Sequence, residues 1–128
     1  MLTDVSKVPV LEQYLVAFRS HDLPRCLGFY SDSAILEFGV TYCRDRPCRE
    51  RWHRERFAAN ADILQVDHVG VEGELVTCEG IVTSDRLRAW GVTRLPVKAT
   101  FRVQNGKIEE ARFALRAGAM ALFLPTRR

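Results

Sequence analysis

The stretch Ala99-Thr100-Phe101-Arg102-Val103-Gln104-Asn105-Gly106-Lys107-Ile108-Glu109-Glu110-Ala111-Arg112-Phe113 decides the fold. Apolar and polar residues alternate on both sides of Asn105-Gly106, a dipeptide that tolerates positive φ at both central positions of a tight hairpin turn. The pattern predicts antiparallel strands over Val92 to Val103 and Lys107 to Leu115. Val97, Ala99, Phe101, Ala111, Phe113 and Leu115 share one face, and Lys98, Thr100, Arg102, Glu110 and Arg112 the other. Upstream, the same period predicts strands Leu64 to Val71 and Leu75 to about Arg88, joined by a Glu72-Gly73 turn. Val76, Cys78, Gly80, Val82 and Ser84 then face inward, and Thr77, Glu79, Thr83 and Asp85 outward.

Before Asn60 the period lengthens to that of helices. Pro9 followed by Val10, Leu11, Tyr14, Leu15 and Phe18 predicts a helix ending near Ser20. Asp22 reads as the N-cap of a short helix that opens with Leu23 and Pro24. Ala34 to Val40 reads as an apolar strand and Tyr42-Cys43 as loop. Pro47 to Ala59 reads as an Arg-rich helix whose apolar edge is Cys48, Trp52 and Phe57. Helices followed by a curved antiparallel sheet define an α+β architecture: a cone whose concave side is covered by the N-terminal helices.

Composition narrows the function classes. With 128 residues, 47% hydrophobic and 27% charged, the chain suits a single domain over 1–128, with a core of about 8–116 and a tail over 117–128. No apolar run approaches the ~20 residues of a membrane span, and Asp4 interrupts any signal-peptide pattern. The expectation is a cytoplasmic protein without a membrane partner. The net charge is +3, and the six arginines between Arg44 and Arg56 alternate with Asp45, Glu50 and Glu55. That mixture reads as a solvated helix face rather than a nucleic-acid surface. None of the four cysteines forms a C-x-x-C pair. Cys26 and Cys78 are therefore expected as small buried residues, Cys43 and Cys48 as free thiols, and neither metal nor cofactor is expected.

Leu11-Glu12-Gln13-Tyr14 through His21-Asp22-Leu23, then Tyr30-Ser31-Asp32-Ser33-Ala34, Arg44-Asp45 before Trp52, and Phe101 to Ile108 together resemble the nuclear transport factor 2-like superfamily. The likeness spans roughly residues 8 to 116 and implies the cystatin-like cone. The superfamily includes ketosteroid isomerase-like and SnoaL-like enzymes, and this chain lacks their catalytic residues. A ketosteroid isomerase needs a tyrosine, a carboxylate base and a protonated aspartic acid. The resemblance puts Tyr14, Phe38 and Ala99 at those positions. The water-activating aspartates of limonene-epoxide hydrolase fall on Arg94 and Phe113. The aspartate–histidine pair of SnoaL-like cyclases finds His21, His53 and His68 here without a matched carboxylate.

What remains is an apolar wall. Tyr14, Phe18, Phe38, Trp52, Val82, Ala99, Phe101, Phe113 and Leu115 are the candidate ligand-binding residues, with Ser84, Arg86 or Trp90 near the mouth. The leading expectation is a protein that binds a small apolar molecule, with the Tyr14 hydroxyl facing the cavity as a donor. Two further readings stay open: a core Tyr14 bonded to a backbone carbonyl or a water, and a cone filled by Phe38, Phe101 and Phe113 rather than hollow. The alternatives are a lyase, isomerase or hydrolase on an apolar cyclic substrate, for which Tyr14, His53 and Asp85 are the catalytic candidates, and a non-catalytic interaction module. A homodimer through the outer sheet face, around Thr77, Ile81, Thr83 and Thr100, is also expected.

Overall fold

Pro9 opens the first helix, α1 (Pro9–Arg19), where its missing N–H leaves no bond unmade. The structure is a computed structural model and describes residues 8–116; the expected tail lies outside the described residues. Leu11, Tyr14, Leu15, Ala17 and Phe18 form the buried stripe of α1. Its end is a Schellman turn: His21 adopts φ 56°, its N–H reaches the Phe18 carbonyl, and the Asp22 N–H reaches that of Ala17. Asp22 also caps α2 (Leu23–Gly28), accepting from the Arg25 N–H at 3.3 Å. Then come β1 (Tyr30–Phe38), β2 (Thr41–Cys43), α3 (Arg46–Ala58), β3 (Asp62–Glu72), β4 (Leu75–Thr83), α4 (Asp85–Ala89), β5 (Leu95–Gln104) and β6 (Lys107–Leu115). Among the described residues, no helix is long and apolar enough to cross a membrane.

The strands form one sheet in the order β2-β1-β6-β5-β4-β3. The expected hairpin is present, with Asn105 at φ 54° and Gly106 at φ 73°. Its register sets Ala99 opposite Phe113 and Phe101 opposite Ala111, while β4 sets Cys78 opposite Ala99 and Val76 opposite Phe101. One inner face therefore runs across three strands. The β1–β6 pair is parallel, a departure from the all-antiparallel expectation, because β1 precedes the whole meander and rejoins the sheet only beside its last strand. Register shifts at Ile63/Gln65 and Asp67/Gly70 bend β3, and with it the sheet, around the helices.

Four expectations are corrected. The strand predicted from Leu75 to about Arg88 ends at Thr83, because the Ser84 hydroxyl caps α4 by accepting from the Leu87 N–H at 3.2 Å. The inward–outward alternation fails at that point, and Thr83, assigned to the outer face, is buried. Tyr42-Cys43 belongs to a short strand paired with β1 rather than to a loop. Cys43 and Cys48 are joined in a disulfide, with Cα atoms 5.3 Å apart, instead of being free thiols. Asp45 turns the chain into α3 by accepting from the Cys48 N–H at 2.9 Å, which folds residue 48 back onto β2.

Cys26 and Cys78 are buried and free, as expected. The outer sheet face carries a ladder of charges. Glu37 pairs with Arg112, Arg112 with Glu110 at 3.1 Å, and Arg102 with Glu110 at 3.3 Å and Glu74 at 3.5 Å. Inside, the large cluster around Leu11, Tyr14, Leu36, Trp52 and Phe101 is separate from a small one of Val92, Leu95 and Val97.

Candidate functional site

Helix α3 supplies the polar frame. Its inward stripe, Arg49, Trp52, His53 and Arg56, follows the i, i+3, i+4, i+7 spacing. Arg49 is only 2% exposed, which corrects the reading of this helix as solvated along all its arginines. Its guanidinium donates to the carbonyls of Ala34 at 2.6 Å, Ser31 at 3.1 Å and Asp32 at 3.3 Å, and lies 5.7 Å from the Tyr30 ring centre. Those carbonyls flank the β1 register shift between Tyr30 and Ile35, where pairing with β6 is interrupted. The cation thus takes the place of missing ladder partners.

His53 is completely buried. Its Nδ1 lies 2.7 Å from the Arg49 carbonyl, so that nitrogen carries the proton and Nε2 is an acceptor. The Tyr14 hydroxyl, 2.8 Å away, donates to Nε2 and accepts from the Tyr30 hydroxyl, also at 2.8 Å. Burial pushes the His53 pKa down to about 4, the charges of Arg49 and Arg56 push the same way, and the bond to the Arg49 carbonyl opposes them. Burial, reinforced by Tyr30, raises Tyr14 well above its ordinary range. At neutral pH the chain Tyr30, Tyr14, His53 is uncharged, with one direction of donation. Tyr14 therefore does not donate into the cavity as expected: its proton is committed to His53.

A cavity of about 270 Å³ lies between the two hydrophobic clusters. Tyr14, Phe18, Phe38, Trp52, Val82, Phe101 and Phe113 line it. The Trp52 ring stacks on Phe113 with planes 4° apart and centres 6.0 Å apart, and the Arg56 guanidinium covers the Trp52 ring at 4.7 Å. Ala99 instead borders an adjoining apolar space of about 70 Å³, together with Cys78, Val76 and Leu11. Leu115 lines neither space and packs on the Val92, Leu95, Val97 cluster. Ser84, Arg86 and Trp90 sit at the cavity, and the exposure of Trp90 (63%) and Arg86 marks that end as the mouth.

Sequence reasoning missed Ile63 and Leu87 among the lining residues, because the alternation was carried past Ser84 and began after Ile63. Asp85 is not brought to Tyr14 and His53. Its carboxylate is exposed, accepts from Asn60 Nδ2 at 2.6 Å and pairs with Arg88, and these bonds hold its pKa below the ordinary value.

The remaining reactive groups are quiet. Burial pushes the thiols of Cys26 and Cys78 up to about 12 and about 11, away from the thiolate form. Asp67, His68 and Glu79 bring ligand atoms within 4.8 Å of one another at β3–β4. Gln65 already donates to Asp67 at 2.6 Å, and Arg116 lies 3.2 Å from Glu79.

A cone of this topology with helices over its concave face is a nuclear transport factor 2-like fold, and the solved structures agree. SalBIII, an epoxide hydrolase/cyclase-like enzyme with a role in pyran ring formation in the polyether salinomycin, superposes with TM-score 0.77 at 15% identity, over 93% of this chain and 97% of its own. A candidate polyketide cyclase from Sinorhizobium meliloti gives TM-score 0.72 at 14% identity, over 82% and 93%. An LEH-like epoxide hydrolase from M. tuberculosis gives 0.69 at 17%, over 91% and 87%. At these identities the likeness is one of fold. Residues 7–113 match the family described as "Domain of unknown function (DUF8021)", and the chain belongs to it. No curated protein matches the chain.

Proposed function

We propose that this protein binds a small, largely apolar, ring-containing molecule inside its cone. The observation that carries the reading is the cavity itself. It lies between two hydrophobic clusters, is walled by Phe38, Trp52, Phe101 and Phe113, and opens at one charged rim. Its about 270 Å³ lies near the small end of ligand sites, which start at roughly 300 Å³. Binding is favoured over catalysis because Tyr14, on the inner wall of the cavity, is bonded to a neutral His53 that does not itself line the cavity. The carboxylates that border the cavity, Glu55 and Asp62, belong to its rim. The reading is supported by the same fold in SalBIII, which has a role in pyran ring formation, and in the candidate polyketide cyclase from Sinorhizobium meliloti.

The test is calorimetric titration with naphthalene-2-methanol, a neutral two-ring probe, against wild type and Val82→Phe. Val82 borders both the main and the adjoining space, and an added ring would fill the void rather than expand the fold. Saturable one-to-one binding by wild type, weakened at least about tenfold in a variant that still unfolds cooperatively, is the expected result. Equal binding by both proteins would move the ligand elsewhere, and no binding by wild type would end the proposal.

A further inference from the structure

We infer that the molecule held in the cone is an amphipathic carboxylate, its apolar body inside and its anionic group at the rim between Arg56 and Arg86. This rests on the binding reading above and adds the charge of the ligand. The interior offers aromatic and aliphatic walls, while the charged lining residues are four: Glu55, Arg56, Asp62 and Arg86. The two acids are not equivalent to the two cations. Asp62 is engaged by the Arg19 side chain at 3.2 Å and by the Ile63 N–H at 2.8 Å. Glu55 approaches Arg56 only to 3.9 Å, outside hydrogen-bonding distance. Asp85, next to Arg86 in the chain, is turned toward Asn60 and Arg88.

Among the described residues, then, neither guanidinium has a hydrogen-bonded acceptor: Asp62 and Asp85 are bonded to other donors, and Glu55 meets Arg56 only as an ion pair at 3.9 Å. Arg56 is also three-quarters covered, with its guanidinium carbon 4.7 Å from the centre of the Trp52 ring, which holds its donors at the edge of the aromatic wall. Arg56 and Arg86 line the same cavity; burial holds the Arg56 pKa below its ordinary value, the Glu55 charge opposes this, and the Arg86 charge adds to the lowering. A planar carboxylate between them would accept charge-assisted bonds from both forks and relieve that repulsion. A neutral ligand of the same shape would leave both cations as they are.

Titration of 2-naphthoate beside naphthalene-2-methanol separates the two claims. Wild type is expected to bind the carboxylate at least about tenfold more tightly, with the advantage shrinking as salt is added. Arg56→Gln and Arg86→Gln should each lower that preference, and the double variant should abolish it, read in each protein as the ratio of its affinities for acid and alcohol. Equal affinity of wild type for acid and alcohol, or a preference that survives in the double variant, overturns the inference and leaves the binding reading standing. Failure of wild type to bind either probe overturns both. Thermal unfolding of each variant shows that the comparison is made on folded protein.

Discussion

Replacing His53 by Gln should change how the protein responds to acid, and the size of the change follows from burial. In the folded state the imidazole is fully enclosed and stays neutral down to about pH 4, against an ordinary value of 6.5. The folded pKa is the lower one, so the unfolded chain binds the extra proton first as pH falls. Stability from this group is complete above about 6.5 and drains away as pH drops toward about 4. The full gap corresponds to about 3 kcal/mol, and about 2 kcal/mol of it should be gone by about pH 4.5, where folded His53 itself begins to protonate.

Glutamine keeps a donor and an acceptor for the Arg49 carbonyl and Tyr14 but does not titrate. Urea unfolding of both proteins at about pH 7 and about pH 4.5 isolates the effect, since the carboxylates contribute equally to each. His53→Gln should be the less stable protein at neutral pH, with the difference shrinking by about 2 kcal/mol in acid. If the two proteins lose stability in parallel, His53 is not the buried neutral base described, and the direction of donation from Tyr14 is wrong as well.

Arg49→Met should cost about 3 kcal/mol or more, because the Ala34, Ser31 and Asp32 carbonyls lose their donor; chemical denaturation measures it, and a loss under 1 kcal/mol would show that water replaces the guanidinium. Tyr14→Phe should destabilise the protein by about 2 kcal/mol, two buried hydrogen bonds being lost, while leaving the affinity for naphthalene-2-methanol within about twofold; the reverse outcome would make the hydroxyl a ligand contact. Reducing Cys43–Cys48 should lower stability by about 2 kcal/mol, the loop-entropy value for so short a span, read as a shift of the urea midpoint with and without reductant.

Much of the cone is legible in local chemistry. Asn105-Gly106 between alternating strands, Asp22 before Leu23-Pro24, and the Leu11, Tyr14, Phe18 stripe are signals that need no tertiary context, and each has its expected counterpart in the structure. What was not legible depends on closure in space. Arg49 reads as one of six solvated arginines, and its only sequence signal is its place three residues before Trp52 and four before His53. The disulfide needs the Asp45 cap to bring residue 48 back over residue 43. At the mouth, Ser84 carries two conflicting signals, a strand position and an N-cap position, and the cap wins because Leu87 N–H would otherwise lack a partner. That one decision moved Thr83 inward and brought Leu87, Arg86 and Trp90 to the cavity.

The bonds from Tyr30 to Tyr14 to His53 to the Arg49 carbonyl, and from the Arg49 side chain to Ala34, leave β1 and return to it. Every link donates in the same sense, so no single member can be reversed without reversing its neighbours, and α1 and α3 are keyed to the sheet in one orientation. Val82, Leu95 and Val97, across the cavity, owe nothing to that circuit beyond ordinary contact. Fastening and accommodation are therefore assigned to different side chains. The chamber can be widened, narrowed or reshaped from the β4–β5 side for a new occupant while the lock on the opposite wall stays shut, which makes this chain a starting scaffold for designed binding sites.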